Sequence, residues 1–184
     1  MPDSTLTPSV SLPTLKVRRA GAEDRPVLER MWLLFRHDLS QFTGDLPRAD
    51  GASASERLDA ALTDPGWAAF LACCECSPVS FAFVRSLERQ PFVLNSFFVV
   101  AAARGTGVGS AVAHQVVTTF PGTWEVAFQE ANSVATHFWR KVAAAHGPGL
   151  TEERRAMPLS AHLPADSWIT FEARGQVPGR GRTP

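Results

Sequence analysis

Three glycines at alternate positions, Gly105, Gly107 and Gly109, lie between a run typical of a strand and a run typical of a helix, in FFVVAAARGTGVGSAVAHQVV. The first four amide N–H groups of a helix have no partner inside it, and the helix dipole adds partial positive charge at that end. Glycines remove the Cβ atoms that would keep an anion away. Arg104 can add a charge-assisted hydrogen bond. The segment therefore predicts a diphosphate site, the alternative being a turn whose glycines only allow tight packing.

Two common nucleotide-binding patterns are absent from this segment. Counted from Gly105, the pattern G-x-G-x-x-G meets Gly107 but then Ser110, and no acidic residue ends a following parallel strand at the expected distance. The phosphate loop G-x-x-x-x-G-K-[ST] is absent too. A nucleotide cofactor is therefore disfavoured as the ligand.

The order of hydrophobic patterns predicts one α+β domain. Strands are predicted at 15–21, 67–74, 79–87, 92–100, 124–128, 150–159 and 167–174, and helices at 22–42, 53–64, 108–120 and 132–146. Antiparallel strands come first, then a strand-helix-strand-helix unit, then two more strands, so we expect a mixed, mostly antiparallel sheet flanked by helices. Residues 14–174 are expected to form this domain, with a flexible arm at 1–13 and a flexible tail at 175–184.

Charge and composition exclude several classes of partner. Eighteen basic and eighteen acidic residues give a formal net charge of zero, so neither nucleic acid nor a membrane surface is expected as a partner. Cys73, Cys74 and Cys76 lie too close together for a disulfide framework. We interpret them as reduced, buried strand residues rather than half of a metal site, because no second ligand cluster follows. A cytoplasmic protein without a metal is therefore predicted.

Two motifs in this chain resemble those of the GNAT N-acyltransferase superfamily. Arg104, Gly107 and Gly109 match the pattern [RQ]-x-x-G-x-[GA] between the fourth strand and third helix. Downstream, NSVATHFWRKV resembles the pattern N-x-x-A-x-x-[LF]-Y-x-K, starting at Asn132. The resemblance covers roughly residues 15–173, including the first strand and helix.

The resemblance implies a sheet splayed between its fourth and fifth strands, with acyl-coenzyme A, such as acetyl-coenzyme A, or another phosphopantetheine thioester in the cleft. By this likeness, the amides of residues 104–110 hold the diphosphate, while two strand residues and the helix cap contact the pantetheine arm. The donor-binding residues implied are Val99, Val100, Arg104, Gly105, Thr106, Gly107, Val108, Gly109, Ser110, Asn132 and Trp139.

The implied reaction is direct attack of an amine on the thioester, without an acyl-enzyme. An alkyl amine has a pKa of about 10.4, so it must lose a proton to a base or to water. Candidate bases are Glu125, Glu130 and Asp38. Relatives often carry a tyrosine at the position of Trp139, and this chain has none. The departing thiolate would therefore take its proton from solvent or from His137.

A second set of residues is expected to contact the acceptor. By resemblance, the first helices form one wall of that site, so Arg36, His37 and Gln41 are candidate substrate-binding residues beside the carboxylate candidates. Asn95 and Ser96 stand where relatives often carry a carboxylate. The alternative for the helix residues is a polar helix end in solvent.

The function predicted is transfer of an acetyl or other acyl group from acyl-coenzyme A to an amine of a small molecule, by a monomer or homodimer. Two alternatives stay open: transfer from the phosphopantetheine of an acyl carrier protein, and a degenerate relative that binds without chemistry. The absence of the usual tyrosine and of a strand carboxylate leaves room for the second.

Overall fold

The computed structural model describes residues 14–155 and 165–175, so the predicted arm at 1–13, most of the predicted tail, residues 156–159 of the predicted sixth strand and residues 160–164 after it lie outside the described residues. The strands are β1 (Leu15–Arg19), β2 (Trp67–Cys74), β3 (Ser77–Arg85), β4 (Phe92–Val99), β5 (Gly122–Phe128), β6 (Thr151–Arg155) and β7 (Asp166–Ala173). The helices are α1 (Arg25–Thr43), α2 (Glu56–Thr63), α3 (Val108–Thr119) and α4 (Ser133–Ala145). No helix among these residues is long and apolar enough to cross a membrane.

The seven strands of the described residues form one sheet in the order β1-β2-β3-β4-β5-β7-β6. Every neighbouring pair is antiparallel except β4 and β5, which run parallel. Helix α3 connects this parallel pair, as a crossover must. The predicted α+β class and mostly antiparallel sheet are therefore confirmed.

Helix α1 begins three residues later than predicted, because residues 22–24 form a separate 3-10 turn, and it ends one residue later, at Thr43. Pro26 lies in its first turn, and Gly44 ends the helix in the left-handed conformation, with a φ of 71°. Leu28 is fully buried, whereas Leu34 is 53% exposed. Six residues along a helix correspond to a rotation that leaves Leu34 about 120° away from Leu28. Leu34 therefore faces away from the sheet.

Strand β3 begins and ends two residues earlier than predicted. A two-residue turn, in which Glu75 has a φ of 54°, lets Ser77 pair directly with Cys74. At the other end Ser86 has a φ of 65°, which no regular strand contains, so the strand stops at the residue before it.

The sheet has a hydrophobic core on each face. Helices α3 and α4 pack on one face, which includes the buried Trp124 and Val126 of β5, and we call it the α3/α4 face. Helices α1 and α2 pack on the other, over Phe81 and Phe83, and we call it the α1/α2 face. Buried residues alternate along β5, so Glu125, between Trp124 and Val126, belongs to the α1/α2 face.

Candidate functional site

Strands β4 and β5 separate soon after they begin. Their ladder is confined to Phe92–Leu94 against Trp124–Val126. The register between β3 and β4 skips Asn95, because Val84 pairs with Leu94 while Phe83 pairs with Ser96. This β-bulge bends β4 away from its neighbour. The sheet is therefore splayed between its fourth and fifth strands.

The end of β4 presents backbone groups to the splay. The N–H of Val100 donates to the carbonyl of Val79 in β3, at 2.9 Å. Backbone groups alternate in direction along a strand, so those of Phe97 and Val99 point the other way, toward the splay. Val100 is predicted, with Val99, to contact the pantetheine arm, but its N–H is bonded to β3 and its carbonyl accepts from the N–H of Ala103 at 2.9 Å. Phe97 and Val99 are the residues positioned to pair with an extended ligand.

The loop before α3 needs glycine at two positions. Gly105 has a φ of 75° and Gly107 a φ of 92°, and a Cβ on either would meet no atom within 4 Å. L-amino acids with side chains rarely adopt such angles. Gly107 is the N-cap of α3, and its carbonyl accepts the first intrahelical bond, from Ala111 at 3.0 Å. Thr106 supports the loop by donating from its hydroxyl to the carbonyl of Ala103, at 2.8 Å.

The third glycine lies in the first turn of α3. A Cβ on Gly109 would lie 3.4 Å from both Phe138 of α4 and Val99 of β4, which is ordinary van der Waals contact. The amides of Val108, Gly109 and Ser110 precede the first residue whose N–H bonds within the helix, so they are the free donors of this helix end. The combination of open space above the loop and free amides suits an anion.

These elements enclose a cleft of about 770 Å³ between α1, the end of β4, the glycine loop and α4. That volume lies within the range of ligand pockets. Residues predicted for donor binding that line it are Val99, Arg104, Gly105, Gly107, Gly109, Ser110, Asn132 and Trp139. Asp38, Gln41 and His137 also line it, whereas Glu125, Arg36, His37, Asn95 and Ser96 do not.

Arg104 holds α1 against the glycine loop. Its Nε donates to the carbonyl of Val99 at 2.8 Å, and a terminal nitrogen donates to the carboxylate of Asp38. The guanidinium also lies 5.6 Å from the centre of the Phe98 ring. Asp38, a predicted base, is thus ion-paired and places negative charge beside the free amides of α3.

Helix α4 contributes a cap and an aromatic wall. The Oδ1 of Asn132 accepts from the N–H of Ala135 at 3.0 Å, which confirms the predicted cap. Its Nδ2 makes no hydrogen bond to any described residue, and Asn132 lines the cleft. Trp139 is buried and packs edge-on against Phe97, with ring centres 5.1 Å apart, and Phe97 stacks on Phe138 at 5.5 Å.

His137 and Glu125, the other predicted catalytic residues, have different surroundings. His137 is exposed and lines the cleft. Glu125 lies outside the lining and accepts two hydrogen bonds from Arg155, at 3.0 and 2.7 Å. These bonds hold the pKa of Glu125 below its ordinary value, despite partial burial. The pair spans β7, and the Arg155 guanidinium lies 4.7 Å from the centre of the Trp168 ring. Glu125 thus anchors β6 to β5 and is not available as a base in the cleft.

The predicted acceptor residues are not brought together. Gln41 lines the cleft, and His37 is exposed outside it. Arg36 donates to Asp45 at 2.8 Å, in the loop after α1. Ser96 is buried and donates to Oδ1 of Asn95 at 3.2 Å, within the bulge of β4. Of the predicted acceptor residues, Gln41 therefore belongs to the cleft, whereas Arg36, Asn95 and Ser96 lie outside its lining.

Some residues at the site were not found from the sequence. Phe138 belonged to a recognised motif, but its stacking on Phe97 joins two elements distant along the chain. Arg57, Arg85 and Arg155 carried no signal, because isolated arginines are common at protein surfaces. No group of three or more His, Cys, Asp or Glu side chains that could hold a metal occurs in residues 14–155 and 165–175.

Comparison with known proteins yields matches in structure but not in sequence. No protein-family model and no curated protein matches the chain. An acetyltransferase from Thermus thermophilus superposes with a TM-score of 0.63 at 17% identity, covering 88% of this chain and 98% of its own. A GNAT-family acetyltransferase from Staphylococcus aureus does so with 0.61 at 14% identity, covering 88% and 100%. A spermidine N-acetyltransferase from Vibrio cholerae, in complex with CoA and spermine, gives 0.61 at 9% identity, covering 86% and 95%. The chain therefore has the fold of these acetyltransferases.

Proposed function

We propose that this chain, which has the fold of the GNAT acetyltransferases, is an N-acyltransferase that moves an acyl group from acyl-coenzyme A to an amine. One observation carries the proposal: a glycine loop with free helix amides opens into a cleft at the splay of the sheet. Acetyl-coenzyme A is the donor we assign first, and a small-molecule amine the acceptor.

The residues of the cleft fit such a donor. The loop that includes Gly105 and Gly107 leaves open space next to the amides at the start of α3, where a diphosphate would be bound. The free Nδ2 of Asn132, the backbone groups of Phe97 and the N–H of Val99 are positioned for the amides of a pantetheine arm, whereas the carbonyl of Val99 already accepts from Arg104.

The reaction requires a new N–C bond and loss of the C–S bond, with one proton leaving the amine and one reaching the thiolate. The thioester supplies the acyl group and the leaving thiolate. Much of the acceleration comes from holding both reactants in one cleft, since aligned groups reach effective molarities of about 10⁵ M or more. Among the described residues that line the cleft, Asp38 is the acidic one, and it is ion-paired with Arg104. Because this pairing makes Asp38 a poor base, we assign removal of the amine proton to water. We assign His137, exposed in the cleft wall, as the proton donor to the thiolate.

Titration calorimetry with coenzyme A, followed by a thiol-release assay over a panel of amines, tests the function. We expect binding, and thiol release that depends on the amine. His137→Gln should lower kcat about ten-fold or more without weakening donor binding, whereas His37→Gln, an exposed histidine outside the cleft, should change neither.

Two results would contradict the proposal in different ways. Binding without thiol release for any amine would make the chain a binding protein with an acetyltransferase fold. Release from an acyl carrier protein, with none from free acyl-coenzyme A, would replace the assigned donor.

A further inference from the structure

Three arginines from separate elements lie on the α1/α2 face beside the splay. Arg36 belongs to α1, Arg57 to the first turn of α2, and Arg85 ends β3. Arg85 pairs in register with Val93 of β4, which pairs with Glu125 of β5. Arg85 therefore lies one position before the last paired residues of β4 and β5, Leu94 and Val126.

These arginines share one electrostatic environment. Desolvation, and then the like charges of Arg36 and Arg85, lower the pKa of Arg57, although part of its side chain is exposed. Arg85 also contributes to the lowered pKa of Glu125, after the larger effects of Arg155. Positive charge is thus concentrated next to the opening of the sheet.

The three guanidiniums have donors to spare. Within residues 14–155 and 165–175, neither Arg57 nor Arg85 forms an ion pair or a side-chain hydrogen bond. Arg36 uses a terminal nitrogen for Asp45, but its Nε is buried without a partner in this part of the chain, in a side chain only 19% exposed. Buried donors without an acceptor are rare, because leaving them unpaired is costly.

Of the carboxylates near this cluster in the described residues, Asp45 pairs with Arg36, and two others form no ion pair with the three arginines. Glu125 is held by the two bonds from Arg155. Asp166, at the start of β7, is buried, and desolvation raises its pKa, with Arg57 opposing that rise. Burial thus disfavours the charged form of the carboxylate that faces Arg57.

We propose that the acceptor is an amine that also carries an anionic group, a carboxylate or a phosphate, bound by Arg57 and Arg85 beside the positive charge of Arg36. This inference rests on the proposed function. The anionic group lies on the α1/α2 face, while the amino group extends to the splay and meets the donor there. Guanidinium groups match the geometry of carboxylate and phosphate oxygens. Amines that carry only positive charge are repelled by the same cluster.

Matched pairs of amines test this substrate class. Ethanolamine is compared with O-phosphoethanolamine, and 2-phenylethylamine with phenylalanine, in the thiol-release assay with acetyl-coenzyme A. We expect kcat/KM to be about ten-fold or more higher for the anionic member of at least one pair, and the two pairs distinguish phosphate from carboxylate. Arg57→Gln and Arg85→Gln should raise KM for that member about ten-fold or more, with little change in kcat or in the neutral amines. Arg30→Gln, which removes an exposed α1 arginine that has no ion pair among the described residues, is the control.

A binding measurement keeps this inference separate from the proposed function. Calorimetry of the N-acetylated anionic amines, with coenzyme A present, should show binding by the wild type and a loss of about ten-fold or more in Arg57→Gln. This result supports the anion site even if no amine is turned over, in which case the proposed function alone fails. Equal kcat/KM for neutral and anionic amines, binding of no anionic compound, or equal effects of Arg57→Gln and Arg30→Gln would overturn the inference.

Discussion

Replacement of Gly107 by alanine separates the conformational role of this glycine from its role in binding. The residue has a φ of 92° and a ψ of −13°, and an added Cβ would meet no atom within 4 Å. The cost to folding is therefore the backbone strain alone, about 1–2 kcal/mol for a residue with a side chain. In a domain of this size each kcal/mol lowers Tm by about 2–4 °C, so we expect a fall of about 2–8 °C.

The same methyl group should weaken donor binding. The open space above Gly107 is part of the cleft, so the Cβ would occupy volume next to the free amides of α3. A hydrogen bond to a charged group contributes about 1.5–3 kcal/mol. Loss of one such bond corresponds to a Kd for coenzyme A that rises about ten-fold or more.

The assay is calorimetric titration of coenzyme A, with thermal unfolding of the same samples. Gly51→Ala is the matched control, because Gly51 has a φ of 79°, an added Cβ there would also meet no atom within 4 Å, and the residue lies outside the cleft lining. It should lose similar stability and keep its affinity. If Gly107→Ala is folded and binds coenzyme A as tightly as the wild type, the glycine loop is not the diphosphate site.

Three further predictions concern a partly buried histidine outside the cleft lining and two residues of that lining. His146 stacks on His114 and Phe171, and its pKa is lowered by burial and then by the nearby His114. The unfolded state therefore binds a proton more readily than the folded state. The free energy of unfolding should fall as the pH drops below about 6.5, the ordinary pKa of histidine, toward the folded-state pKa. Urea unfolding at pH 7.5 and 5.5 should show a smaller acid loss for His146→Gln, and an unchanged loss would contradict this. Asp38→Asn should tighten coenzyme A binding a few-fold at low salt, because it removes a negative charge near the glycine loop and releases Arg104 from its ion pair. The gain in affinity should shrink as the salt concentration rises. Weaker binding by Asp38→Asn would contradict this prediction. Asn132→Ala should cost about 1 kcal/mol of stability through the lost cap. Asn132→Asp should keep Tm but weaken coenzyme A binding, because a negatively charged acceptor replaces the Nδ2 donor; equal affinity for Asn132→Asp and wild type would remove Asn132 from the donor site.

Features that depend on neighbours along the chain could be predicted from the sequence. Asn132 caps its helix because its side chain reaches an amide three residues ahead. The faces of β5 follow from the alternation of side chains in any strand, and Gly107 is needed where the backbone turns into α3. The exposure of Leu34 could not be predicted in the same way, because apolar spacing along α1 does not say which stripe meets the sheet.

Contacts between distant residues were decided by the tertiary structure alone. Arg104 and Asp38 are 66 positions apart, and the strands that bind Glu125 to Arg155 are brought together by the sheet order. Val100 is predicted to contact the pantetheine arm, but its N–H is already bonded to Val79 of β3. Helix, strand and capping preferences depend on a few neighbouring residues. The ion-pair partner of a charged side chain and the hydrogen-bond partner of a strand edge depend instead on strand register and on which elements pack together. No pattern within one sequence specifies those relations, so the sequence determined the fold and the glycine loop, and packing decided which charges remain free beside the splay.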